Sequence, residues 1–224
     1  MELKGKKIAF LGDSITEGVG VNDIANCRYD NVLKRELELK EVYNYGISGT
    51  RLSHQSVPSE KPRFDLCFCG RAYKITQDAD IIVVYGGVND YIHGDAPIGS
   101  PEDRTPATFW GAVYFLMNLL KTQYKDKTVV FMTPARAHVG GTPDTLPSPN
   151  PNKKSDAMPL VNYVEIIKER AHQFDIPVLD LYHELGIDPN NADERLKYTA
   201  DGLHFNDAGQ AVLAKRLGDF LKAL

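Results

Sequence analysis

Residues 80–87 read Asp80-Ile81-Ile82-Val83-Val84-Tyr85-Gly86-Gly87. The run is continuously apolar rather than alternating and stops at two glycines, which is the pattern of a β-strand buried on both faces. Such a strand needs helices above and below it, and the flanking sequence supplies them. Toward the N-terminus, residues 64–75 predict a helix and residues 42–45 a short strand. Tyr29, Val32, Leu33 and Leu37 recur at helical spacing behind a first β-type run over residues 7–11. Toward the C-terminus, Phe109, Val113, Leu116 and Leu120 mark a long helix and residues 128–132 a fourth strand. Leu160, Val164, Ile167 and Ala171 mark a helix that Pro159 opens at its first position, and residues 177–181 give a fifth strand. The last helix has Asn206 or Asp207 as its cap and buries Val212, Leu213, Leu217, Phe220 and Leu221. Strands alternating with helices predict parallel crossovers. The expected fold is α/β: a three-layer α/β/α sandwich on a five-stranded parallel sheet, in one domain over residues 1–224.

The 224 residues fit one large α/β domain better than two. Lys and Arg number 26 against 30 Asp and Glu, a net charge of −4, so no basic excess exists to neutralise a phosphate backbone and nucleic acid is excluded as a partner. No apolar run approaches the ~20 residues of a membrane helix. Lys4, Lys6 and Lys7 precede too few apolar residues for a secretory signal, so the chain reads as cytoplasmic, with no membrane partner. Cys27, Cys67 and Cys69 cannot all pair, and Cys67-Phe68-Cys69 lacks the second Cys/His pair of a zinc site, so reduced, partly buried thiols are expected.

Long connections run over residues 48–63, 88–105 and 134–159, after strands two, three and four. The last carries six prolines and Gly140-Gly141, the composition of either a substrate-side lid or a mobile loop. Ligands of open parallel sheets sit where the strands end, so the site is expected at that edge. Four stretches converge there. The first strand leads into Gly12-Asp13-Ser14-Ile15-Thr16, a hydroxyl at a tight turn. The second ends in Asn44-Tyr45-Gly46-Ile47-Ser48-Gly49, where Gly46 can bring a bare N–H to a ligand. The third ends in Gly86-Gly87-Val88-Asn89-Asp90, with a side-chain amide at its tip. Asp201-Gly202-Leu203-His204 precedes the last helix, spaced so that Asp201 can hold His204 Nδ1–H and turn Nε2 outward as a base. Each alone reads as well as a helix cap or a turn residue; independent caps have no reason to gather.

This order of Gly-Asp-Ser, Gly, Gly-x-Asn-Asp and Asp-x-x-His resembles the SGNH (GDSL-type) hydrolase superfamily of esterases and lipases, over residues 12–204. The resemblance implies a flavodoxin-like sandwich, the SGNH hydrolase fold. It implies Ser14 as nucleophile, His204 as general base and Asp201 as orienting acid. It also implies an oxyanion hole from the N–H of Ser14, the N–H of Gly46 and the side chain of Asn89. The reaction expected is hydrolysis of an acyl ester through an acyl-enzyme, on a small-molecule substrate, with no cofactor and no metal. Ile15, where many lipases have Leu, points to the broader esterase branch.

Ser48 lacks the Gly-x-Ser-x-Gly spacing of another nucleophile elbow, and Asp90, Asp207 and His183 read as turn or surface residues. Asp13 and Arg136 are candidates for touching substrate; His93 and His138 read more simply as exposed loop residues. Arg51, Arg71, Arg136 and His138 suggest a wet, shallow mouth, suited to an acetyl group on a carbohydrate rather than a long lipid chain. An acyltransferase or thioesterase with the same triad is the alternative, and a non-enzymatic ligand-binding module is a further one. Against a nucleotide module, residues 12–20 contain no phosphate-cradling glycine loop. A homo-oligomer stays open, since the aromatic residues around Trp110 suit a dimer or a core.

Overall fold

Alternate residues of the Ile81–Tyr85 strand feed two apolar layers: Ile81, Val83 and Tyr85 join one, Ile82 and Val84 the other. The computed structural model describes residues 1–224 apart from Pro149, Pro151, Asn152, Lys154 and Ser155. The strands are β1 (Lys7–Gly12), β2 (Glu41–Gly46), β3 (Ile81–Tyr85), β4 (Thr128–Met132), a hairpin of β5 (His138–Val139) and β6 (Thr142–Pro143), and β7 (Val178–Leu179). The main sheet runs β2-β1-β3-β4-β7 with every pairing parallel. The Phe109–Gln123 and Leu160–Gln173 helices cover one face and the Tyr29–Glu36 and Asp207–Ala223 helices the other, completing the expected α/β/α layers. Strand periodicity of two sends side chains to both faces, so β1, β3 and β4 are buried in apolar layers on either side, while the edge strand β2 stays half-buried. No helix among the described residues is long and apolar enough to cross a membrane.

Two expected elements change shape. Residues 64–75 do not form one helix; they break into a Pro62–Asp65 3₁₀ turn, a Phe68–Arg71 helical turn and an Ala72–Lys74 3₁₀ turn. Tertiary hydrogen bonds win over the helical ladder here: Phe68 N–H donates to Arg51 O at 2.8 Å, and the Tyr124 hydroxyl reaches Ala72 O at 2.9 Å and Ile75 O at 2.8 Å. The fifth strand shortens to Val178–Leu179, because the Asp180 side chain accepts from His183 N–H and caps the Leu181–Glu184 turn instead. At the last helix Asn206 is the cap, accepting from Ala208 and Gly209 N–H, both at 3.1 Å. Pro159 stands one place earlier than expected, as the cap of the Leu160–Gln173 helix.

Arg71 does not reach a solvent-facing mouth. Its guanidinium donates to Tyr45 O (2.6 Å), Gly12 O (3.0 Å) and Thr50 Oγ1 (2.9 Å), stapling the ends of β1 and β2 to the loop that follows β2. Asp90 is likewise no surface residue: fully buried, it accepts from the N–H of Leu52 and of Ser53, both at 2.9 Å, and from the Ser53 hydroxyl. These two side chains fix the strand tips before any substrate arrives. Arg71→Met leaves buried carbonyls without donors, and we expect it to lose about 3 kcal/mol of unfolding free energy. Urea denaturation measures this, and an unshifted midpoint would remove Arg71 from the role.

Candidate active site

Strand β1 delivers Asp13 as the cap of the Ser14–Glu17 turn, its carboxylate accepting from Ile15 N–H at 3.0 Å. Ser14 is therefore the first residue of a helical turn, with its N–H outside the helical ladder. It is only 5% exposed. The Ser14 Oγ lies 2.8 Å from His204 Nε2, and His204 Nδ1 lies 2.7 Å from Asp201 Oδ2. The other Asp201 oxygen accepts from the N–H of His204 (2.8 Å) and of Leu203 (3.0 Å). Partial burial pushes the Asp201 carboxyl up, but the hydrogen bonds from the His204 ring and from these two N–H groups outweigh it and hold it at about 2. An ionised carboxylate only accepts, so Nδ1 carries the proton and Nε2 offers its lone pair to the Ser14 hydroxyl.

The loop carrying Asp201 and His204 is braced from two sides. His138 N–H on β5 donates to Gly202 O at 2.9 Å, so part of the long 134–159 connection props the site. The lid or mobile-loop reading of the rest includes the five residues outside the described set. Gln210, fully buried, donates to Ile15 O at 3.3 Å and accepts from Tyr29 N–H at 3.0 Å, tying the last helix to the Ser14 turn.

Asn89 sits in the Val88–Ile92 helix, 4% exposed. Its Nδ2 donates to Thr50 O at 2.9 Å and faces Asp13 Oδ2 at 3.4 Å, so one of its two donors is only loosely held. Gly46 does not supply the expected second N–H. That group donates to Asn44 Oδ1 at 2.9 Å, and a Cβ on Gly46 would stand 2.3 Å from Glu17 N, so the glycine is there to let the Ser14–Glu17 turn pack against β2. Further along the loop, Ile47 N–H goes to Gly12 O, Ser48 N–H to Glu17 Oε2 and Thr50 N–H to Ile47 O. Among the described residues only Gly49 leaves its N–H without an acceptor in that stretch, held at φ +74° beside the Phe64 ring. The second glycine of the Gly46-Ile47-Ser48-Gly49 pair was the available signal.

Both candidate substrate contacts are committed to partners within the protein. Asp13 is 1% exposed and spends its oxygens on Ile15 and Asn89. Arg136 is paired to the fully buried Asp144 and, at 3.1 Å, to Asp188, which anchors the β5–β6 hairpin. Arg51 is 1% exposed, and His93 is half-buried with its ring nitrogens bonded. Sequence spacing placed His93 one helical turn from Asn89, a signal read only as a loop position. His93, Arg51, Phe64, Gln55, Gly94 and Asp95 line a cleft of about 570 Å³ whose lining includes neither Asn89 nor Ser14 and which meets Asn89 through His93. Ligand atoms of Glu165, Asp180 and His183 lie within 4.8 Å of one another, but Lys168 Nζ already pairs with Glu165 and Asp180 there.

A profile of the GDSL-like lipase/acylhydrolase family matches residues 10–212. A crystal structure of a Lactobacillus plantarum protein superposes with a TM-score of 0.81 at 28% identity, covering 99% of this chain and 98% of that one. An acetyl xylan esterase superposes at 0.61 with 19% identity, covering 95% and 98%. A two-domain esterase active on acetylated mannans superposes at 0.63 with 19% identity, covering 99% of this chain and 49% of that one. No curated protein sequence matches the chain.

Burial pushes the Asp13 carboxyl up to about 6, the Ile15 N–H and the Arg71 guanidinium only partly offsetting it. The folded state thus favours the protonated form, and the protein is penalised as pH rises from the ordinary carboxyl range through about 6. Asp13→Asn carries no such penalty. Thermal unfolding of the two proteins at pH 4, 5.5 and 7 should show the Tm of the variant gaining on the parent as pH rises. Opposing the Asn89 amide adds a fixed offset, so the slope is the readout and parallel curves would refute the shift.

Proposed function

Since the chain belongs to the GDSL-like lipase/acylhydrolase family, a family of ester-hydrolysing enzymes, we propose that it is a serine esterase acting on short-chain, chiefly acetyl, esters of polar carriers such as carbohydrates. The observation that carries this reading is the 2.8 Å contact between Ser14 Oγ and His204 Nε2, backed by Asp201 at 2.7 Å from Nδ1. A serine hydroxyl is a weak nucleophile until a neutral imidazole takes its proton. In the proposed first step Oγ attacks the ester carbonyl carbon, its proton passes to Nε2, and the carbonyl electrons move onto the oxygen. The unpaired N–H groups of Ser14 and Gly49, with the loosely held donor of Asn89, then receive that oxyanion. Collapse expels the alcohol, which leaves with the proton from His204, and the acyl group stays on Oγ. Water repeats the sequence with His204 again as base.

Support for a polar, carbohydrate-like carrier comes from the cleft walled by His93, which sets an aromatic ring, Phe64, among the polar side chains of Gln55, Ser59 and Asp95. Two structural neighbours point the same way: the acetyl xylan esterase and the esterase active on acetylated mannans.

A fluorophosphonate should label Ser14, and Ser14→Ala should lose both label and turnover; peptide mapping that finds the label on Ser48 would overturn the choice of nucleophile. Asn89→Ala should lower kcat by about 10²–10³. Rates on p-nitrophenyl esters from C2 to C12 beside acetylated sugars should be highest for acetyl, and a preference for C8 or longer would refute the short-chain reading. Because the base must be neutral, activity should also fall on the acid side with a single ionisation that survives in Asp13→Asn; a flat profile from pH 5 to 9 with chemistry rate-limiting counts against His204.

A further inference from the structure

The Asn89 amide has two ends of similar shape, and only one orientation presents a hydrogen donor to a developing oxyanion. What decides the orientation lies behind it. His93 Nε2 is 3.1 Å from Asn89 Oδ1, and on the far side of the ring His93 Nδ1 is 2.8 Å from Arg51 Nη1. A guanidinium donates and never accepts. Nδ1 must therefore be the unprotonated nitrogen, which leaves the proton on Nε2. An N–H at Nε2 in turn demands an acceptor, so the Asn89 atom facing it is the oxygen and the NH₂ group points the other way, toward Thr50 O and Asp13 beside Ser14.

We propose that His93 is a positioning residue, held by Arg51 as the neutral Nε2–H tautomer so that it locks and polarises the Asn89 amide as an oxyanion donor. This rests on the esterase reading of the same site. Arg51 is itself immobilised: 1% exposed, it donates through Nη2 to Phe64 O at 3.2 Å and pairs with Asp65 Oδ1 at 3.3 Å. The His93 ring lies against Phe64, with centroids 5.8 Å apart at 35°. Burial, then the charges of Arg51 and Lys153, push the His93 pKa down to about 4. The ring therefore stays uncharged across the range in which a serine esterase works, and the Nε2 proton is always in place. Lys153 itself donates to the carbonyls of His93 and Ala96, both at 3.4 Å, and not to the ring.

His93 also walls the cleft, so direct contact with the substrate is the competing role, and kinetics separate the two. With p-nitrophenyl acetate, His93→Phe keeps the ring packing and removes the donor. It should lower kcat and kcat/KM together by about tenfold or more, short of the loss from removing the Asn89 amide, with KM changed less than about twofold. His93→Gln carries a donor and an acceptor on one amide and should recover most of that loss. In the Asn89→Ala background His93→Phe should cost nothing further, because its effect passes through the missing amide. A raised KM at constant kcat, or a double variant slower by the product of the two single losses, would assign His93 to substrate contact and overturn the proposal. Histidine ¹⁵N NMR at pH 6 tests the tautomer with no need of turnover: the proton should be on Nε2, and an imidazolium or an Nδ1–H form refutes it. Loss of Ser14 labelling and esterase activity in the parent protein itself would instead fail the esterase reading, leaving the NMR result to judge the His93 geometry.

Discussion

A hydroxyl on residue 14 meets an imidazole on residue 204 at 2.8 Å, and the chemistry available to this chain depends on that contact being kept across 190 residues of sequence. The parallel sheet makes it possible. Every strand of the order β2-β1-β3-β4-β7 ends at the same edge, so the turns after β1, β2 and β3 share one region, and the return from β7 to the last helix brings His204 back over β1. The sheet alone sets positions only coarsely. Gln210, buried between the last helix and the Ser14 turn, and Arg71, bonded to the carbonyls of Gly12 and Tyr45, convert a shared edge into a fixed distance. Both are polar side chains placed in an otherwise apolar framework, and each is fully engaged, which is what lets them sit there without the cost of an orphaned donor.

The two aspartates near the site are driven in opposite directions by their surroundings. Asp13, enclosed and given one close backbone donor, is pushed up to about 6. Asp201, half-exposed and facing the His204 ring and two N–H groups, is held at about 2. Only the second is a dependable anion, so only the second can fix the imidazole tautomer and stabilise it when it takes a proton. Asp13, one residue from Ser14, serves the turn that presents the hydroxyl.

The layered architecture was legible in the sequence because the residues of β1, β3 and β4 are apolar on both parities and the long helices carry their own period. The Ile24–Cys27, Leu181–Glu184 and Ala192–Tyr198 helices were not, since four to seven residues are too few for a period to appear. Residues 64–75 show the opposite failure: an apolar spacing that fits a helix, broken by hydrogen bonds to Arg51 and Tyr124, distant in sequence. In the site, Ser14, Asn89, Asp201 and His204 were readable because their chemistry is written in the residue type. Choosing between Gly46 and Gly49 was not, because a backbone N–H looks the same at both; what separates them is Asn44, two residues back, whose oxygen occupies the first. Arg51, Arg71 and Arg136 were read as solvent-facing from their charge. Their partners are carbonyls, a ring nitrogen and carboxylates of which Asp144 is fully buried, which no local pattern announces.

The two histidines near Ser14 carry opposite tautomers, and the sign of the partner explains both. A carboxylate on Nδ1 of His204 calls the proton to that nitrogen and leaves Nε2 as an acceptor for the Ser14 hydroxyl. A guanidinium on Nδ1 of His93 expels the proton from that nitrogen and leaves Nε2 as a donor to Asn89. In the proposed reaction one imidazole is thereby the base and the other a fixed dipole, aimed at opposite ends of the same step: the hydroxyl that loses a proton and the oxygen that gains negative charge. Exchanging the partners' charges would disable both, because a proton on His204 Nε2 cannot accept from Ser14 and a bare His93 Nε2 would turn the Asn89 amide around. The chain thus obtains two tautomers from one side-chain type by controlling a single neighbour of each.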